Sequence, residues 1–207
     1  SAHPWRYLTL GVVVLGLATA PAFSLRLGWP DNGTQSDSMT TRRAYDLLAD
    51  GFGDGFNGPL LLSVELDGLA PADADRVLGD LATALDADPG VADVAPADVN
   101  EAGTAAVLRV IPTTAPQDVE TTDLIHHLRR DVVPAALAGA DVPVHVGGST
   151  AMFVDISERI EQRLPWFIGA VILLSVLLLT VVFRSIAVPL KAAVMNLLSI
   201  GAAYGAI

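Results

Sequence analysis

Residues 164–183 read LPWFIGAVILLSVLLLTVVF, a stretch without a single charge, and its reading decides the class of protein. A helix needs roughly 20 apolar residues to cross about 30 Å of hydrocarbon, and this stretch supplies them. Upstream, residues 5–25 read WRYLTLGVVVLGLATAPAFSL, with Arg6 the one charge and that at the margin. This is a second candidate span. Downstream, residues 190–207 read LKAAVMNLLSIGAAYGAI, a third apolar helix opened by Lys191. Its pattern breaks off without a glycine stop or polar exit. The other end has no initiator Met, basic leader region or small-residue cleavage pattern. The chain is therefore expected to be a segment of a larger membrane protein.

Between the apolar stretches lies a segment of opposite character. The 207 residues are 52% hydrophobic, yet carry a net charge of −11. Residues 26–163 hold all 23 acidic residues but only nine of the twelve basic ones, a local net charge of −14. A uniformly soluble globule does not distribute charge in this way, and nucleic-acid binding lacks its basic footprint. Zero Cys excludes disulfide scaffolds, zinc–thiolate sites and thiol nucleophiles. Eleven Arg to one Lys, with abundant Ala, Asp, Gly and Val, matches a high-GC bacterial coding bias.

Basic residues near membrane ends favour the cytoplasmic side. His3 and Arg6 precede the first span, and Arg184 and Lys191 bracket the connection between second and third. These ends are expected in the cytoplasm and residues 26–163 outside it, in a multi-pass plasma-membrane protein. The expected divisions are 1–25, first transmembrane helix; 26–163, extracytoplasmic domain; 164–183, second transmembrane helix; and 184–207, a cytoplasmic turn with a broken-off third helix.

Within the acidic segment the apolar period alternates between two and 3.6 residues. A strand is expected over 59–66, apolar on both faces, then a helix over 72–86 with Val77, Leu78, Leu81 and Leu85 inward. Short strands follow at 91–94 and 104–111. A helix over 117–137 is marked by Leu124, Leu128 and Val132, and a strand over 142–147 closes the unit. The order is βαββαβ, the split βαβ or ferredoxin-like unit, predicting a four-stranded antiparallel sheet with two helices on one face. A short helix over 40–49, capped by Thr, precedes it. After Gly148, the stripe of Phe153, Ile156, Ile160 and Leu164 predicts one long helix running into the second span, kinked near Pro165. Such a helix could couple the outer domain to the bundle; lying on the headgroups is the alternative.

Several motifs match by letter only. Gly53, Gly55 and Gly58 spell the G-x-G-x-x-G dinucleotide fingerprint, but precede a strand instead of following one and opening a helix. A glycine-rich turn whose Phe52 and Phe56 pack on the sheet is the reading preferred here. Ser149, with His126, His127 and several Asp available, lacks a G-x-S-x-G elbow, and Ser149 or Thr150 is expected to cap the long helix. His126 and His127 point about 100° apart and cannot share a metal as i, i+4 ligands do; a solvated helix face is expected. No catalytic residue, metal or cofactor is predicted. The Asn32-Gly33-Thr34 sequon is read as chance. Gly201 and Gly205 form a G-x-x-x-G that permits close helix approach. Asn196 is the one strongly polar side chain of that span, expected to bond a neighbouring helix or, as the alternative, to serve transport.

The runs Arg43-Ala44-Tyr45-Asp46-Leu47-Leu48, Gly51-Phe52-Gly53 with Gly55-Phe56-Asn57-Gly58-Pro59-Leu60, Val146-Gly147-Gly148-Ser149-Thr150, and Phe183-Arg184-Ser185 with Val188-Pro189-Leu190-Lys191 together resemble actinobacterial MmpL-type transporters of the resistance-nodulation-division superfamily. The resemblance covers nearly the whole chain and is closest to the start of such a protein's C-terminal half: seventh span, second porter domain, eighth span and part of the ninth. It implies proton-driven export of lipids, lipid precursors or hydrophobic drugs, with the remaining half of the transporter, the membrane and a hydrophobic substrate as partners. The family's proton relay, Asp–Tyr pairs on the fourth and tenth spans, has no counterpart here, since the three apolar stretches contain no Asp or Glu. From their place between helix and strand, Phe52, Phe56 and Asn57 are candidates to line the exit path. A membrane-anchored sensor or binding module that does not transport is the rival reading. A secretion accessory subunit of the same superfamily architecture is a third.

Overall fold

The computed structural model describes residues 4–21, 30–137 and 139–205. The chain divides into two compact units, Ser1–Leu27 with Glu158–Ile207, and Gly28–Ser157.

The second unit is built on an antiparallel sheet. Its strands are β1 (Leu60–Glu65), β2 (Val91–Val94), β3 (Asp98–Val99), β4 (Ala105–Pro112) and β5 (Val144–Gly147), ordered β2-β4-β1-β5, with β3 pairing β4 off that path. The register is fixed by alternation. Leu60, Leu62 and Val64 of β1 point one way and are essentially unexposed, as are Ala106, Leu108 and Val110 of β4; a one-residue slip would turn all of them to the open face. Leu61, opposite Arg109, is 42% exposed. The strand is thus buried on one face, not apolar-packed on both as the sequence suggested. β3 is likewise absent from the sequence expectation, because two residues carry no periodicity.

Helix α2 (Thr40–Phe52) precedes the sheet, α3 (Pro71–Asp86) follows β1, and α4 (Val119–His127) follows β4. Pro71 opens α3, where a missing N–H costs nothing, and Val77, Leu78, Leu81 and Leu85 are all buried against the sheet. α4 does not run unbroken to residue 137. It passes through a π-helical turn, Leu128–Val132, in which the Val133 N–H donates to the Leu128 carbonyl, before α5 (Val133–Ala136). Pro134 explains the wider turn, because its ring has no N–H and clashes with a carbonyl one α-turn back. The extra residue rotates the helix face, so Val133 takes the core position after Leu124 and Leu128, and Val132 is only partly buried. Both ends of α2 also differ from expectation: Met39, with no side-chain cap, precedes Thr40, and the helix runs on to Phe52 instead of stopping at 49.

In the first unit, α1 (Pro4–Thr19) is 16 residues long and ends two residues before Pro21. The expected span 5–25 therefore lies partly outside the described residues. α6 (Ser149–Phe183) is one 35-residue helix with Pro165 inside it. At 1.5 Å per residue it is about 52 Å long, well beyond the ~30 Å hydrocarbon layer. Among the described residues it is the one helix long and apolar enough to cross a membrane. Ser149 and Thr150 lie within its first turn and the Met152 N–H donates to the Gly148 carbonyl, so neither hydroxyl residue precedes the helix as a cap. α7 (Ala187–Gly205) follows after three residues, the first of which, Arg184, has φ +48°.

Candidate functional site

None of the residues of α2 is buried, so polar contacts hold it in place. Arg42 bonds Asp46 one turn on, Nε to Oδ1 at 2.7 Å, and donates to the Gly33 carbonyl. Its pKa is raised by the Asp46 hydrogen bond, so it remains charged. The Asn57 amide donates to the Tyr45 carbonyl at 3.1 Å, tying the glycine-rich segment back to α2. That segment is a 3-10 turn, Asp54–Asn57, pressed against the end of β4. A Cβ on Gly55 would lie 1.8 Å from the Pro112 carbonyl oxygen, and one on Gly58 2.4 Å from Pro116 Cγ and 2.7 Å from Thr150 Oγ1. Gly55 therefore lets backbone approach backbone, and Gly58 lets the side chains of Pro116 and Thr150 lie against the turn.

The same close approach decides where the phenylalanines go. Phe52 and Phe56 stack on each other, with ring centroids 4.7 Å apart and planes 22° apart. Phe52 remains 66% exposed. Phe52 is not packed against the sheet as the sequence reading expected, while Phe56 is half-buried beside Gly55, the glycine that presses the turn onto β4. The result is an aromatic pad on the surface, with Leu47 exposed nearby on α2.

Behind α2 sits a phenol among carboxylates. Tyr45 is pushed up to about 12, first by burial and then by the negative charge of Asp31, with Asp118 and Asp54 adding to it. Gly33 permits this approach: its N–H donates to Asp31 Oδ1 at 2.9 Å, and a Cβ there would meet Tyr45 Cζ at 2.9 Å. Tyr45 is thus a neutral group at physiological pH. Its sequence signal was no more than a tyrosine in a short helix, because Asp31, Asp118 and Asp54 all lie outside α2.

His127 is not simply solvated, as the sequence reading expected. His127 Nε2 lies 3.2 Å from Asp88 and Nδ1 2.8 Å from Asp131, so the ring is held between two carboxylates. Asp88, buried, also accepts from the Gly90 N–H at 2.9 Å. Because the carboxylates lie on opposite ring edges they do not converge, and no metal-binding cluster exists among the described residues. Asp131, four residues from His127, was legible as a helical pair; Asp88, on another element, was not.

In the helical unit, α1 and α7 pack through Gly201. A Cβ on it would lie 2.5 Å from Thr19 Cγ2, while the Thr19 hydroxyl donates to the Leu15 carbonyl at 2.7 Å. Gly205 is half-buried on the same helix. Asn196 is exposed on α7 and makes no hydrogen bond among the described residues.

An α+β unit thus lies in the chain between the apolar helices α1 and α6, of which α6 is long and apolar enough to cross a membrane. The chain belongs to the MMPL family, whose model matches residues 30–207, a family of membrane transporters. It is 37% identical over 204 residues to "Membrane protein YdfJ" of Bacillus subtilis, covering 98% of this chain and 27% of that protein. It is 27% identical to "Mycolic acid-containing lipids exporter MmpL11" of Mycolicibacterium smegmatis, over 99% of this chain and 22% of that one. "Heme uptake protein MmpL11" of Mycobacterium tuberculosis is 28% identical, over 99% of this chain and 21% of its own length. The chain thus spans about a quarter of these relatives. A solved domain, "Mycobacterial membrane protein MmpL11D2", matches 42% of this chain and 99% of its own, at 23% identity and TM-score 0.34.

Proposed function

We propose that the chain forms a porter-type domain with its flanking spans, within a multi-pass plasma-membrane exporter that moves lipids or hydrophobic drugs outward on the proton-motive force. Family membership carries the reading, supported by an α+β unit placed between apolar helices. The strand order, with helices after β1 and β4, supports a ferredoxin-like βαββαβ unit in which β3 is an insertion. Phe167, Leu173 and Val181 of α6 are 67%, 61% and 78% exposed, an apolar surface that only lipid or further helices would cover. Residues 26–163 lie outside the cytoplasm in this reading, and the remaining half of the transporter supplies the proton carriers. The stacked Phe52 and Phe56, with Asn57 fixing their turn, form the apolar contact on the substrate's way out. Asn196, Gly201 and Gly205 serve helix packing.

The test uses the full-length parent protein in vesicles, with a fluorescent phospholipid as probe and an imposed proton gradient. Gradient-dependent outward movement, abolished by Asp→Asn in the tenth span, is the expected result. Inward movement would favour uptake, the activity for which the Mycobacterium tuberculosis relative is named. No movement in either direction would put the sensor or binding-module reading in its place.

A further inference from the structure

We infer that Arg129 is a positioning residue that braces the corner between β5 and the first turns of α6, residues 149–157. Gly148 alone separates strand from helix. It has φ +99°, and a Cβ on it would lie 2.9 Å from the Pro59 carbonyl oxygen and 3.1 Å from the Leu61 nitrogen. Only glycine fits there, and a glycine corner has no side chain to stiffen it.

The Arg129 guanidinium spans this corner. On the strand side, Nη2 and Nε donate to the Val146 carbonyl at 2.7 and 3.3 Å. On the helix side, Nη1 and Nη2 donate to the two carboxylate oxygens of Asp155 at 2.5 and 2.9 Å. Among the described residues β5 pairs only with β1, so it is an edge strand there, and Arg129 supplies the Val146 carbonyl with donors. A planar fork can serve a carbonyl and a carboxylate together; a lysine ammonium cannot reproduce that geometry. The π turn that carries Arg129 is itself anchored, since His127 just before it is held between Asp88 and Asp131. Exposed ion pairs contribute little singly. This one is bidentate, shared with a backbone acceptor and mounted on a fixed turn.

The consequence for export rests on the transporter reading; the brace does not. The experiment compares full-length wild type with Arg129→Met, Arg129→Lys, Asp155→Asn and the double variant. It measures amide exchange by peptide, melting temperature, and export of the fluorescent phospholipid. Arg129→Met is expected to speed exchange in residues 149–160 roughly tenfold, the loss of about one charged hydrogen bond's worth of protection, while β1 and β4 exchange as before. Asp155→Asn acts in the same direction, Arg129→Lys falls between, and the double variant adds little to the larger single effect. Maximal export falls with half-saturating substrate unchanged. Unchanged exchange in 149–160, or acceleration spread evenly over the sheet, overturns the brace. If Arg129→Met does not fold, Asp155→Asn carries the same exchange readout. Should wild type export nothing, the transporter reading fails while the exchange result still decides the brace.

Discussion

The glycine-rich segment offers a sharp test, because three of its glycines have different reasons to be there. Gly55→Ala places a methyl 1.8 Å from the Pro112 carbonyl oxygen and 2.6 Å from its carbonyl carbon. Those atoms belong to the end of β4, so no side-chain rotation relieves the contact and the turn or the strand must shift. Overpacking of this kind costs about 3 kcal/mol at the upper end of its usual range. In a chain of this size that lowers the melting temperature by about 6–12 °C. Gly53 has φ +93° and ψ 155° with nothing within 4 Å of its Cβ position, so Gly53→Ala incurs only the backbone penalty, about 1–3 kcal/mol. Gly51 lies within α2 with nothing within 4 Å, and Gly51→Ala is expected to gain about 0.5–1 kcal/mol from helix propensity. Scanning calorimetry of the detergent-solubilised chain and its three variants should rank them Gly51→Ala, then Gly53→Ala, then Gly55→Ala. A Gly55→Ala variant melting with wild type would refute the claim that this turn is pressed backbone to backbone on β4.

Two further outcomes follow from the same contacts. Gly201→Val should push α7 off α1 and lower thermal stability, and Thr19→Ala added to it should recover part of the loss, because the clash is with a side chain; additive effects in this double-mutant cycle would count against direct contact. Tyr45, raised in the folded state, contributes stability that is complete below its ordinary value near 10 and disappears as pH rises through about 12. Tyr45→Phe should therefore flatten the alkaline fall in melting temperature between those values, and an unaltered profile would show that Tyr45 is not held neutral by its surroundings.

What the residues reveal in advance depends on whether a contact is local. The stripe of Val77, Leu78, Leu81 and Leu85 announced α3, because burial on one face repeats at the helical period. The alternation in β1 was harder to read, since Leu61 is apolar yet exposed opposite Arg109. The π turn was hidden because Leu128 and Val132 keep the ordinary spacing in sequence; only the position of Pro134 hinted that the register would slip. Around the candidate pad, the i, i+4 spacing of Phe52 and Phe56 was available as a signal, but not that Phe52 would stay exposed while Phe56 is half-buried. Arg129 and Asp155 lie 26 residues apart, on elements whose meeting depends on the whole sheet being assembled. No local pattern encodes that.

A sheet sealed by helices on one side alone separates two demands on the sequence. The inward rows, Leu60, Leu62 and Val64 with Ala106, Leu108 and Val110, answer to folding. The outward rows, Leu61 and Ser63 with Val107 and Arg109, answer to little of it, and substitutions at such exposed positions usually change stability by under about 0.5 kcal/mol. Drift can therefore repaint this face from apolar to charged while the scaffold beneath stays the same. A single architecture can in this way be inherited by lineages whose cargoes have nothing in common.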